Sequence, residues 1–355
     1  LMARQLIQNH YILVLGKNRA FLCMMVYVMA RSLLNGFIHL DELQPAINSA
    51  IEHTVVCIAC VSLTQKAFDE DRLYRSWKIA ASFYALGLFY QLFIFYILNE
   101  IVHPISIIPG YELHPEEIGF RPSSFFSEPA LFVCAMLPLL FISLKYRDYK
   151  WAIATTALVL MTTSTVGVLL AGVFWSLAFL QGNIGLAKRI LLFAIAGIGL
   201  WMVVNLDIFS AAVKKLYEVL GGGSTVDSRI RCGFDVINSM DFWGWLFGTS
   251  YNDVAAYVRQ YGSRIPLESP VHVYMAAKGS VFLNTFTQII FQYGLVGLLL
   301  YLGAIYSRLT KKKYEAKMYL IMMLVSILGQ GKFLNSIFFM ELIFLFLYDR
   351  KERTV

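Results

Sequence analysis

Apolar residues fall in long runs, interrupted by short polar joints and by two longer polar stretches. A bilayer core about 30 Å thick needs about 20 helical residues, and most runs are close to that length. The pattern predicts ten membrane-spanning helices, near 20–39, 46–64, 79–99, 129–144, 151–163, 165–181, 188–206, 284–306, 317–330 and 334–348. The first two carry polar exceptions: Arg31 in one, and Asn48, Ser49, Glu52, His53 and Thr54 in the other. Charges inside spans face a bundle interior or a cavity. Two arrangements stay open here. Arg31 pairs with Glu52, or the first helix ends early and leaves Arg31 at the surface.

The joints set orientation. Lys145–Lys150, Lys188-Arg189, Lys311-Lys312-Lys313 and Arg350–Arg353 are short and basic, which marks them as cytoplasmic. The predicted spans between successive basic joints come in pairs, as that assignment requires. Both termini are then expected on the cytoplasmic side. The stretch ending at Pro129 and a large loop over 207–283 are expected outside. That loop contains Gly221-Gly222-Gly223-Ser224 as a flexible joint, then two short surface helices expected near 228–239 and 251–261. Loops of this length are usually functional or partly folded. The span after it opens with Asn284, Gln288 and Gln292, which share one helix face, so this polar stripe should face protein or a wet cavity. Thr162–Thr165 forms a polar apex near the outer surface, and Gly329-Gln330-Gly331-Lys332 aims a cation outward.

Composition agrees with the pattern. Hydrophobic residues make up 58% and charged residues 15%, with a mean hydropathy of +0.62, which excludes an ordinary soluble domain. A net charge of +7 would suit nucleic acid, but the basic residues lie in the joints, where they orient helices, so that class is set aside. Cys23, Cys57, Cys60, Cys134 and Cys232 form no convincing metal or disulfide framework. Leu1-Met2 opens the chain with no evident cleavable leader. The whole is expected to be one all-α membrane domain, 1–355, with the 207–283 loop within it.

One polar stretch stands out, Gly119–Pro129, with Arg121 and Glu128 seven residues apart. Pro122 and Pro129 keep it from regular helix, and Pro129 suits the first turn of the helix that follows. Glu128 complementing the helix dipole and Arg121 snorkelling to the interface is the plain explanation. The orientation, however, gathers Arg121, Glu128, Arg229, Arg231, His272, Asn284 and Lys332 on the outer face. Arginine forks clamp diphosphate oxygens and stabilise a departing anion, and a carboxylate beside lipid can be desolvated into a useful base.

Arg121-Pro-Ser-Ser-Phe-Phe-Ser-Glu128-Pro129 resembles the arginine-to-"EP" signature of bacterial Wzy-type polysaccharide polymerases, relatives of the O-antigen ligases. Leu160–Gly167 resembles the family's Ser/Thr-Gly hairpin. Arg229-Ile-Arg231 followed by Leu246-Phe-Gly248 resembles its loop arginine-to-glycine stretch, and Asn284–Gly297 its "N…GliG" helix. The likeness runs over roughly 115–350. It implies a GT-C-like, all-α polytopic bundle in the bacterial cytoplasmic membrane. The implied reaction joins undecaprenyl-diphosphate-linked oligosaccharide repeats at the outer face and releases undecaprenyl diphosphate, with neither cofactor nor metal. A separate chain-length regulator is the implied protein partner.

By this resemblance Arg121 and Arg229 would hold the diphosphate, with Arg231 as a second cation. Glu128 would be the base or would orient Arg121. Asn284 would hydrogen-bond phosphate or sugar, and His272 and Lys332 are further binding candidates. O-antigen ligases carry His before the helix Asn, where this chain has Leu283. The alternatives are a glycan ligase and, from another class, a lipid-linked oligosaccharide flippase. One-sided polar residues and the lack of inverted repeats speak against the flippase.

Overall fold

The computed structural model describes residues 15–62, 70–100, 122–126, 128–181, 230–278 and 281–309. Among these the protein is all helix: α1 (Leu15–Ile38), α2 (Leu43–Ser62), α3 (Glu70–Phe93), α4 (Pro129–Lys145), α5 (Tyr149–Met161), α6 (Thr165–Gln181), α7 (Cys232–Asn238), α8 (Phe242–Phe247), α9 (Val254–Tyr261), α10 (Pro270–Lys278) and α11 (Thr285–Leu309). Three stretches are long and apolar enough to cross a membrane, Asn18–Ile38, Asp71–Leu98 and Thr285–Ser307, and Pro129–Leu144 and Tyr149–Met161 are shorter apolar helices. It is a helical membrane protein. The spans expected over 188–206, 317–330 and 334–348 lie outside the described residues. The chain divides into two compact units, Asp69–Gly221 and Leu1–Phe68 with Gly222–Val355.

In the Asp69–Gly221 unit, α4 packs on α5 and α6. Phe132, Val133, Met136, Leu139 and Leu140 are wholly buried, an unbroken apolar surface as expected of a helix enclosed on all sides. Asp148 caps α5 by accepting from Trp151 N. It also takes hydrogen bonds from Tyr74 Oη at 3.0 Å and Lys78 Nζ at 3.4 Å. Burial pushes its carboxyl up, but those three donors outweigh that and hold it below the ordinary carboxylate value. Thr162, Thr163 and Ser164 do join α5 to α6, yet all three are buried, with Thr163 in the left-handed region at φ 53°. One face of α3, including Ile79, Phe83, Leu86 and Phe89, is exposed and suited to lipid. A single π turn over Ile94–Leu98 ends it.

In the other unit, α1 packs against α2 and α11, and α8 lies on α11. Helix α1 runs on to Ile38, so it does not end at Arg31. Nor does Arg31 pair with Glu52, which is exposed. The guanidinium instead donates to the carbonyls of Phe247, Gly248 and Thr249 at 3.0, 2.9 and 3.1 Å. The reason is local: α8 has only six residues, and its end leaves carbonyls without helical partners. Helix α11 kinks at Gly294, whose φ of 67° and ψ of −171° are non-helical. Gly248, at φ 88°, meets it there. A Cβ on Gly248 would collide with the Gln292 carbonyl, and one on Gly294 with the Leu246 carbonyl, so both positions require glycine.

Candidate functional site

The polar residues picked out by sequence fall in both units. Arg121, Arg229 and Lys332 lie outside the described residues.

In the Asp69–Gly221 unit the stretch before α4 is docked on α3. Pro122, Ser123 and Ser124 are buried. The Gln91 side chain clasps them: Oε1 accepts from Ser123 N at 3.0 Å and Ser124 N at 2.8 Å, and Nε2 donates to Ser124 O at 3.2 Å. Ser124 Oγ donates to Tyr84 O at 2.7 Å. Phe125 stacks on Phe83, and Phe126 meets Tyr84 edge-on. Gly87 makes room for this approach, since a Cβ there would stand 2.6 Å from Ser124 Oγ. Glu128 emerges from this anchored turn exposed, as the extended N-cap residue of α4 with Pro129 at N1. Its carboxylate makes no cap hydrogen bond to the first turn. Gln91 was not singled out by sequence. A lone amide in an apolar run was the available signal, because such a group needs a partner in lipid.

In the other unit, α7 and α11 start side by side. Gly233 lies against Thr287, where a Cβ would collide with the Thr287 side chain, and Phe234 packs on Phe286. Arg231, exposed, stands two residues before that contact in a π turn leading into α7. Asn284 is fully buried and caps α11: its Oδ1 accepts from Thr287 N at 2.9 Å and Thr287 Oγ1 at 3.1 Å. Farther along the polar stripe, Gln292 Nε2 donates to Asn252 O at 2.9 Å. His272 is half-buried, with Nε2 3.0 Å from Ile265 O. Ser269 links α10 to α7 by donating to Asp235 Oδ2 at 2.5 Å. Cys232 is buried, and burial, aided by Asp235, pushes its thiol up to about 12, which disfavours the thiolate.

No protein-family model, curated protein or solved structure matches this chain.

The unit also holds a cavity of about 650 Å³ that sequence reading did not anticipate. Tyr27 and Arg31 of α1 form one wall, and Trp243, Tyr257, Tyr261 and Arg264 contribute to the other. Arg264 lies over the Tyr261 ring at 4.7 Å. Burial raises the Tyr257 hydroxyl, which lies 3.3 Å from Ser239 Oγ. The rim is fixed by the segment after α8. Glu42 accepts from Asn252 N at 2.9 Å, Asn35 Nδ2 donates to Asn252 Oδ1 at 3.2 Å, and His39 stacks on Tyr251. Among the described residues no cluster of His, Cys, Asp or Glu could hold a metal.

Proposed function

We propose that this protein is a membrane glycosyltransferase of the polysaccharide-polymerase type. It would join lipid-diphosphate-linked oligosaccharide repeats at the outer face of the cytoplasmic membrane, transferring the growing glycan to a fresh repeat and releasing undecaprenyl diphosphate. The observation that most supports this reading is the paired start of α7 and α11. Exposed Arg231 stands two residues before Gly233, which meets Thr287 in the first turn of α11, and a cation near a helix N-terminus suits an anion such as a diphosphate. The exposed Glu128, carried on a clasped turn, supplies a carboxylate for proton abstraction or for orienting Arg121. The sequence signatures that resemble Wzy-type polymerases supply the substrate class.

Purified protein in proteoliposomes with a lipid-diphosphate-linked repeat unit should yield a ladder of glycans together with free lipid diphosphate. Arg231→Ala and Glu128→Ala should each remove the ladder while the protein inserts at normal level. Cells lacking the protein should accumulate single repeats on their lipid carrier. A full ladder from both variants would exclude these residues from the chemistry. Long glycans that form but are never attached would point to a ligase. Repeats trapped on the inner leaflet would point to a flippase.

A further inference from the structure

The segment around α8 has an arrangement that a loop in water would not need. Three successive carbonyls, Phe247, Gly248 and Thr249, are held by the Arg31 guanidinium, and the Tyr27 hydroxyl lies 3.3 Å from the first of them. Both donors sit inside the apolar span Asn18–Ile38, Arg31 seven residues before its end. That is about 10 Å of helix. The same segment meets α11 at Gly294, nine residues inside the span Thr285–Ser307, or about 14 Å of helix. Thr249 N donates to Phe291 O at 2.7 Å at that level. Two independent helices therefore place residues 247–249 well inside a core about 30 Å thick. Irregular backbone survives at such depth only where its polar groups are satisfied by protein, and a buried arginine there pairs with carbonyls. Each requirement here meets the other.

One side of α8 is apolar: Phe242 is 71% exposed, Trp243 65% and Phe247 41%, and the last two also line the cavity beside Arg31 described above. The two spans it touches also carry exposed apolar residues, Val26 on α1 and Leu295 and Leu299 on α11. We propose that Met240–Tyr251 is a re-entrant segment that dips into the membrane beside α1 and α11, with bilayer acyl chains covering the Phe242–Trp243–Phe247 face. The proposal rests on the spanning helices and not on the glycan chemistry above.

Full-length protein with its native cysteines replaced is spin-labelled at Phe242→Cys and at Trp243→Cys, then reconstituted in phosphatidylcholine vesicles. Leu299→Cys serves as the lipid-facing reference and Arg259→Cys as the aqueous one. Oxygen should collide with the labels at 242 and 243 several-fold more effectively than a water-soluble nickel chelate, as at 299, with the order reversed at 259. Nickel access at 242 and 243 matching that at 259 would overturn the proposal, and so would low access of both reagents, which would mean a protein cover. Should cysteine replacement impair folding, brominated phosphatidylcholine gives the same reading in the native background. It should quench wild-type tryptophan emission more than that of Trp243→Phe, and equal quenching would overturn the proposal.

Discussion

Gln91→Leu tests whether one amide holds the turn that presents Glu128. The substitution keeps the bulk of a side chain that is 2% exposed, while removing an acceptor for two backbone N–H groups and a donor to one carbonyl. Each buried backbone group left unpaired costs about 1–3 kcal/mol, so the three together set a ceiling near 9 kcal/mol. The turn has a cheaper escape, which is to undock and let water satisfy those groups. Undocking gives up the Phe83–Phe125 and Tyr84–Phe126 ring contacts, each worth about 0.5–1.5 kcal/mol beyond its buried area. The expected effect is therefore local, about 3 kcal/mol in the opening of residues 122–126, in a protein whose global stability is of the order of 5–15 kcal/mol. Hydrogen exchange at the Ser123 and Ser124 amides reads this directly, and 3 kcal/mol corresponds to about 100-fold faster exchange. The amides of α5 should not change. Unaltered protection at Ser123 and Ser124, or uniform acceleration across the unit, would refute the reasoning.

Further expectations concern other positions. Gly248→Ala should lower the melting temperature sharply, since its backbone conformation costs an L-residue about 1–3 kcal/mol before the collision with Gln292 is added; Gly303→Ala, in open space within α11, should be neutral or slightly stabilising by the same melt. Asn284→Ala should cost about 1 kcal/mol through the lost cap, whereas Asn284→Asp should retain most of the stability, by thermal melts of both. Asp148 has a depressed carboxyl, so its contribution is present above the unfolded carboxylate value and is lost as pH falls through the folded one. Thermal melts from pH 6 to pH 3 should accordingly show a shallower acid limb in Asp148→Asn than in wild type. Cys232, with its thiol raised to about 12, should resist a water-soluble maleimide at pH 8 until the protein is denatured, as mass spectrometry of the labelled peptide would report.

Much of the helical layout could be read from hydropathy alone. The helix expected over 165–181 is Thr165–Gln181, and the one expected over 129–144 is Pro129–Lys145, because continuous apolar runs with a proline at the first turn or a polar apex admit few other readings. The two surface helices were expected within a few residues of α7 and α9, from apolar residues at helical spacing. Helix α8 went unseen, since six residues of Phe242-Trp-Gly-Trp-Leu-Phe247 are too few to show a period. Helix α10 likewise escaped, lying in a polar stretch that begins at Pro270. Arg31 shows the deeper limit. A charge within an apolar run announces that a partner exists, but sequence offered a carboxylate or the membrane surface, and the partners are carbonyls more than 200 residues away. The Asn284–Gln292 stripe could be read as inward-facing, yet not that its first amide would serve as a helix cap and its last would hold the Asn252 carbonyl.

The crossing of Gly248 and Gly294 has a consequence for how this chain can change over time. A tight fit between two side chains can be repaired when one shrinks as the other grows. Here each glycine faces main chain, Gln292 on one side and Leu246 on the other, and main chain cannot be trimmed by mutation. The two positions thus behave as separate locks, each closed to every side chain whatever occupies the other. A descendant of this sequence that lost either glycine would have to rebuild the crossing itself, moving α8 away from α11 and with it the carbonyls that Arg31 was placed to hold.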